Sequence, residues 1–423
     1  MERGELRVVK ILYVANLIPY PLDNGGKIFT FSKIQALSKN NAIDLLCFYE
    51  HEDINAGIAK LKDFCCSVDV LPIKVTTREN MPLMMVKALK SLFSSKPLGI
   101  SKYYTPEMKV LIEKKMQEKK YDCVFFNLLA MYGYCDYIKE IDPQIKAVLY
   151  EQNCEALIYR RLLEQTKNPL KRIFVSIETK KLTKFEDEAV YSVDELFLLS
   201  KEDQVALGLE HRKCNIIPIG VNPPTRQKKY TNASKNKITL LFVGTMTWAP
   251  NNEGVIWFLQ NVMPLCTDEN KYELFIIGKN PSETVTRLSR NFKNVHLLGY
   301  VESLDEYYDK SDVLIVPLFV GGGQRVKIIE AFGRGFAVIS TSIGVEGLKY
   351  EDEKTIMIAD DASAFKEKID SCFSSEKIRT IGSGGKEIFD MEYSTVIIEK
   401  KINDVLSKMF LTDRGNGEEN KLC

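Results

Sequence analysis

The stretch GGGQRVKIIEAFGRG, Gly321–Gly335, sets three glycines, Gln324, Arg325 and Lys327 ahead of a carboxylate, Glu330, on an amphipathic pattern. An apolar run ending VLIVPLFV precedes it. Glycine lets a backbone approach a ligand closely. The first turn of a helix offers N–H groups and a positive dipole end, which suit an anion. The chemistry this pattern could do is therefore charge stabilisation of a phosphate, with Arg325 able to grip it bidentately. A strand-to-helix turn with a solvated basic start fits the same residues. Arg325 and Lys327 would diverge by about 200° on a regular helix. Both face one phosphate only if one of them precedes regular helix; otherwise Lys327 is a surface charge.

The chain that must position these groups has 423 residues, more than one core usually serves, so two domains are expected. A hydrophobic content of 45% allows sizeable cores, and a net charge of +1 predicts no global attraction to nucleic acid. Ten cysteines without a C-x-x-C pair, and three histidines at 51, 211 and 296, argue against a zinc cluster. Reduced thiols fit a cytosolic protein. The start MERGELRVVKILYVA lacks a signal-peptide pattern, and no run reaches the roughly 18 apolar residues of a membrane span. The expected location is cytoplasmic, either soluble or peripheral on the inner face of the membrane.

Short apolar runs alternate with helical patterns. Strands are expected at 9–15, 43–49, 68–73, 122–127, 146–151, 195–200 and 215–219, then at 238–244, 272–278, 294–299, 312–317, 336–341 and 355–359. Continuous apolar strands separated by helices predict an α/β class of two doubly wound, Rossmann-like parallel sheets. The Pro-, Asn- and Lys-rich stretch after the first set reads as a linker. The expected division is 1–220 as a first domain, 221–237 as linker, 238–392 as a second domain, 393–411 as a final helix packing back on the first, and 412–423 as a disordered tail. Open parallel sheets bind ligands at the carboxyl ends of their strands, which draws attention to the loops there and to a cleft between the domains.

Four such loops stand out in the second domain: VGTMTWAPNN, IIGKNP, LLGYVESL and the glycine–arginine stretch. In full, FVGTMTWAPNNEGVIWFLQNVMPL, GYVESLDEYYDKSDVLIVPL, GGGQRVKIIEAFGRGFAVIST and GVEGL resemble successive motifs of the family-4 retaining glycosyltransferases of GT-B architecture, especially the branch of bacterial surface-polysaccharide assembly. IPYPLDNGGKIFTFSKIQAL, LYEQNCEALIYRRL and FLLSKEDQVAL agree in the first domain. The resemblance implies transfer of a sugar, with retention, from a nucleotide-sugar to a glycan or lipid-linked acceptor. It implies that Gly322 and Gly323 lay N–H groups on the donor diphosphate, and that Glu330 takes the ribose hydroxyls. Gly25 and Gly26 would lie beside the phosphates and the transferred sugar, with Asp23 and Asn24 as helix caps instead of ligand groups. Gly244, Thr245, Gly278, Tyr300, Gln324, Arg325 and Lys327 complete the implied donor site. Asn153 and Glu155, with Glu151, would orient sugar or acceptor hydroxyls.

Two departures from the family pattern matter. Gly322 stands where the first glutamate of E-x7-E is expected, and Gln152 where relatives often carry histidine. No arginine–lysine pair follows the first strand of the second domain, so Arg325 and Lys327 are the substitutes for phosphate charge. No D-x-D occurs in the chain, and the helix terminus with Arg325 can meet the diphosphate charge, so no metal or other cofactor is expected. The stretch KNPLKRIFVSIETKKLTKFEDE (167–188) reads either as a solvated helix face or as a contact with an anionic membrane. Two other functions remain open: a GT-B sugar-nucleotide epimerase, and a nucleotide-sugar-binding assembly protein without turnover.

Overall fold

All thirteen apolar runs form strands, and most strand positions are apolar because helices cover both faces of each sheet. The computed structural model describes residues 8–22, 25–50, 54–74, 91, 94–230, 236–321 and 323–411. Gly322, Asp23, Asn24 and the tail from 412 lie outside the described residues.

The first sheet contains β1 (Val9–Ala15), β2 (Asn41–Tyr49), β3 (Ser67–Pro72), β4 (Cys123–Asn127), β5 (Lys146–Tyr150), β6 (Glu195–Leu198) and β7 (Asn215–Ile216), in the order β3-β2-β1-β4-β5-β6-β7. The second contains β8 (Ile238–Val243), β9 (Tyr272–Ile277), β10 (Val295–Gly299), β11 (Val313–Val316), β12 (Ala337–Ser340) and β13 (Met357–Ile358), in the order β10-β9-β8-β11-β12-β13. Every strand pair is parallel. Two doubly wound α/β units result. In each, the strand order reverses beside the first strand, between β1 and β4 and between β8 and β11. The loops leaving those strands diverge there and open a crevice.

In the first unit one core packs Leu12, Val14, Leu46, Phe126 and Leu149 against helix residues such as Met108, Ile112 and Leu182. In the second, Leu240, Phe242, Leu274, Ile276 and Ile339 pack against Phe258, Phe365, Ile378 and Ile381. The units comprise Met1–Pro218 with Ile398–Cys423, and Ile219–Ile397. The final helix, Thr395–Leu411, begins in the second and ends in the first.

The stretch read as a linker is tied to the second unit in its described part. Val221 forms a bridge with Ser394, and the Lys228 N–H donates to the Arg334 carbonyl at 2.8 Å. The Lys228 ammonium donates to the carbonyls of Tyr308 at 3.0 Å and Asp309 at 2.8 Å, and the Tyr230 hydroxyl to that of Gly335 at 2.6 Å. A polar composition marks a solvated strip, but its donors reach carbonyls at and just past helix ends, which composition does not reveal.

Helix Ala249–Asn261 leaves the crevice after β8 and runs against the end of β11. A Cβ on its Gly254 would lie 2.2 Å from the Pro317 carbonyl oxygen. In an open helix Gly→Ala stabilises by up to about 1 kcal/mol. Here Gly254→Ala should destabilise by about 2 kcal/mol through overpacking, read from the urea midpoint; a stabilised variant would contradict this packing.

Candidate functional site

The crevice of the second unit gathers its chemistry at the reversal between β8 and β11. Arg325 occupies the cap position of helix Val326–Gly333, with φ −89° and ψ 97°, so it precedes regular helix while Lys327 lies inside it. The 200° divergence of a regular helix therefore does not apply to this pair, and the two cations lie close enough to act on each other. The Arg325 guanidinium stacks over Trp248, 5.4 Å from its ring centroid, and Arg325 is 5% exposed. The Lys327 ammonium donates to Asn251 Oδ1 at 2.9 Å and sits 4.6 Å from the centroid of Phe242. Asn251 Nδ2 in turn donates to the Thr245 carbonyl at 3.0 Å, fastening helix Ala249–Asn261 to the loop after β8. Lys327 is thus half-buried and engaged by Asn251 and Phe242, not a solvated surface charge.

Glycine at two positions makes room for these cations. A Cβ on Gly244 would come within 2.8 Å of Lys327 Nζ, and one on Gly321 within 3.0 Å of an Arg325 terminal nitrogen and 3.4 Å of Trp248. Gly321 and Gly323 also adopt φ of 124° and 75°, which favour glycine. Helix Val326–Gly333 has no side-chain cap and no acid in its first turn, so its dipole end is not neutralised locally.

The electrostatics follow first from burial. Burial first, and then the neighbouring Arg325, lower the Lys327 ammonium to about 7, with Glu330 opposing. Burial lowers the Arg325 guanidinium to about 10, with Glu346 opposing. Glu330 is half-buried, and burial raises its carboxyl above the usual range against the pull of Arg334 and Lys327. Lys327 and Glu330, three residues apart, share a helix face.

Other expected donor-site residues have structural duties. The Gln324 amide is used at both ends: its oxygen accepts from the Ile219 N–H at 2.8 Å, and its nitrogen donates to the Gly347 carbonyl at 2.7 Å. Gly278 is glycine because a Cβ there would lie 1.9 Å from the Gly244 carbonyl oxygen. Its N–H donates to the Gly299 carbonyl at 2.8 Å, which locks the loops after β9 and β10 together. Tyr300 is exposed, its ring centroid 4.6 Å from the Lys279 ammonium. Trp248, Asn251 and Glu346 were not expected at the site, although all three stand inside motifs quoted from the sequence.

In the first unit a polar chain crosses the reversal between β1 and β4. Gln152 donates to Asn127 Oδ1 at 3.1 Å, as does the Tyr13 hydroxyl at 3.0 Å. Asn127 Nδ2 donates to the Thr30 hydroxyl at 3.0 Å, which donates to the Gly26 carbonyl at 3.0 Å. The two exposed residues Gly25 and Gly26 open helix Gly25–Ser38 and are set in place by this chain. Asn153 is half-buried, and the half-buried Glu155 opens helix Glu155–Gln165. Burial raises the Glu155 carboxyl, with Lys102 opposing. Burial also raises Glu151 well above the carboxylate range, reinforced by Glu186, Glu155 and Asp203. Glu186 accepts from the Ala156 N–H at 3.3 Å and so caps the helix that Glu155 opens. It lies 31 residues downstream of Glu155, and no local signal marks it.

Residues 237–375 match the family model described as Glycosyl transferases group 1. An uncharacterised 44.6 kDa protein in the cps region of Klebsiella pneumoniae is 26% identical over 375 residues, covering 86% of this chain and 90% of that one. Among solved structures, sucrose-phosphate synthase of Thermosynechococcus elongatus superposes with a TM-score of 0.67 at 15% identity, over 96% of this chain and 100% of that chain. Anabaena Alr3699/HepE, solved in complex with UDP and glucose, gives 0.64 at 14% identity, over 95% and 100%. The two parallel-sheet units are those of the GT-B fold, and the group 1 match falls on the unit that holds Arg325, Lys327 and Glu330. Fold and match together support a glycosyltransferase.

The lowered Lys327 gives a testable sign. The unfolded chain carries the ammonium up to about 10.5 and the folded chain only to about 7, so stability rises with pH across that window. Urea unfolding of the ligand-free protein should show stability rising through this window, a rise that Lys327→Met abolishes. An unchanged slope in the variant would place Lys327 in water.

Proposed function

We propose that the protein transfers a sugar from a nucleotide-sugar to a glycan or lipid-linked acceptor, with retention of anomeric configuration, in polysaccharide or glycoconjugate assembly. The observation that carries this is the convergence of Arg325, Lys327 and the uncapped Val326–Gly333 helix end at the strand reversal of the second unit. Two cations held against Phe242 and Trp248 are in an environment that favours a doubly charged anion over water. HepE holding UDP and glucose, and the cps-region relative, agree with a nucleotide-sugar donor and a polysaccharide setting.

On this reading Gly323, the helix end, Arg325 and Lys327 hold the diphosphate without metal. Gly244, Thr245 and Trp248 border it, and Glu330 accepts the ribose hydroxyls. Asn153 and Glu155 of the first unit orient sugar and acceptor hydroxyls. The bond from the anomeric carbon to the diphosphate oxygen breaks, and the acceptor oxygen bonds that carbon on the same face. The departing phosphate takes the acceptor proton, so no titrating imidazole is needed where Gln152 stands. The protein works in the cytoplasm, peripheral to the membrane; among the described residues no helix is long and apolar enough to cross one.

Gly322 in place of an expected glutamate favours a second reading, nucleotide-sugar binding without turnover. Purified protein with UDP-, GDP- and ADP-sugars separates the two. Turnover with one donor should fall about 100- to 1,000-fold in kcat for Arg325→Ala, which removes charge at the leaving group. Glu330→Ala should raise the donor KM about 10- to 100-fold, the size of a lost hydrogen bond to a charged group. Donor binding with no transfer would select the second reading, and recovery of an epimerised donor would replace both.

A further inference from the structure

The helix pair Glu155–Gln165 and Pro169–Ser192 forms a hairpin whose turn leaves apolar side chains in water. Ala156 is the one fully buried residue of the first helix, and burial in the second begins only at Val175. Between them Leu170 is 79% exposed, Ile173 60%, Ile158 41% and Leu162 38%. The turn itself is built, not slack. Asn168 accepts from the Lys171 N–H at 3.1 Å, Pro169 sets the first helical position, and the Thr166 hydroxyl returns to the Leu162 carbonyl at 2.7 Å.

Charge surrounds these side chains. Residues 157–173 carry Arg160, Arg161, Lys167, Lys171 and Arg172 against the single acid Glu164, a local +4 in a chain of net +1. Further along, Asp187 and Glu188 share an open groove of about 440 Å³ with Arg160, Lys180 and Lys184, so the basic face ends there.

We infer that this hairpin turn docks the protein on an anionic lipid surface, with Leu170 and Ile173 entering the acyl boundary and Lys167, Lys171 and Arg172 meeting headgroup phosphates. The apolar pair argues against nucleic acid, which would leave it in water. The sign of the charge argues against a second copy of the chain, since two such turns would set +4 against +4. A lipid interface satisfies both sets of groups at once: apolar side chains go below the headgroups and cations go among them. Each cation near such a surface contributes about fivefold in partitioning. This deepens the proposed function, on which it rests only for its purpose: it names the face that would bring the protein to a lipid-linked acceptor.

Co-sedimentation of the full chain with phosphatidylcholine vesicles, with and without one-third phosphatidylglycerol, tests it. Partitioning should be at least about tenfold stronger on the anionic vesicles and should weaken with salt. Lys171→Gln with Arg172→Gln should lower it about 10- to 30-fold. Leu170→Ser with Ile173→Ser should lower it at every salt concentration. All four positions are exposed, so the variants should keep the parent circular dichroism and the parent affinity for nucleotide-sugar. Equal partitioning on the two vesicle types, parent-like partitioning by both double variants, or self-association that the variants abolish would each overturn the inference. Vesicle binding without any nucleotide-sugar binding would instead remove the transferase reading and leave the docking face standing.

Discussion

Arg325 and Lys327 are held close together in a largely water-excluded place, and the crevice of the second unit is arranged around that fact. Burial lowers the Lys327 ammonium to about 7, helped by the neighbouring Arg325, and burial alone lowers the Arg325 guanidinium to about 10. The protein offsets this only in part, through Asn251, the Phe242 and Trp248 rings and the Glu346 carboxylate. An arrangement that disfavours the ligand-free state is one in which an anion has most to gain. The same charges in open solvent would bind a diphosphate weakly, because water would already serve them.

That arrangement depends on backbone close approach more than on side-chain chemistry. Gly278 lies against the Gly244 carbonyl and Gly254 against that of Pro317. Together they bring the loops after β8, β9 and β11 close enough for Asn251 to reach Lys327. Gly244 and Gly321 leave the volume that the two cations fill. Glycine therefore does two jobs here, and at Gly321 and Gly323 positive φ is one of them.

The fold was legible because parallel strands covered on both faces must be apolar without interruption, a signal that needs no partner information. The turn around Arg325 was legible in outline, since a glycine run with a strand before it and a helix after it specifies a strand-to-helix crossing in local terms. What could not be read is what depends on a distant contact. Gln324 and Gly278 have residue types that suit a ligand loop equally well, and only the positions of Gly347 and Gly244 show their duties. Lys327 turned on where regular helix begins, one residue after Arg325. Trp248 and Asn251 stood in a quoted motif, but their roles appear only when the loop after β8 meets the helix after β11. Glu186 was out of reach altogether, as it caps a helix that begins far upstream of it.

The two units solve a common problem with opposite chemistry. Each has its crevice at a strand reversal, and in each a helix opens beside glycines: Gly25 and Gly26 in the first, Gly321 and Gly323 in the second. The second fills its crevice with cations. The first fills its own with neutral amides and hydroxyls, Gln152 to Asn127 to Thr30, and keeps its carboxyls protonation-prone by burial at Glu151 and Glu155. A crevice of amides and nearly neutral acids suits hydroxyl-rich, uncharged groups, because each can donate and accept without bringing charge of its own. A crevice of cations suits a diphosphate. On the proposed function, this division of charge would match the charged leaving group to the second unit and the uncharged sugar hydroxyls to the first.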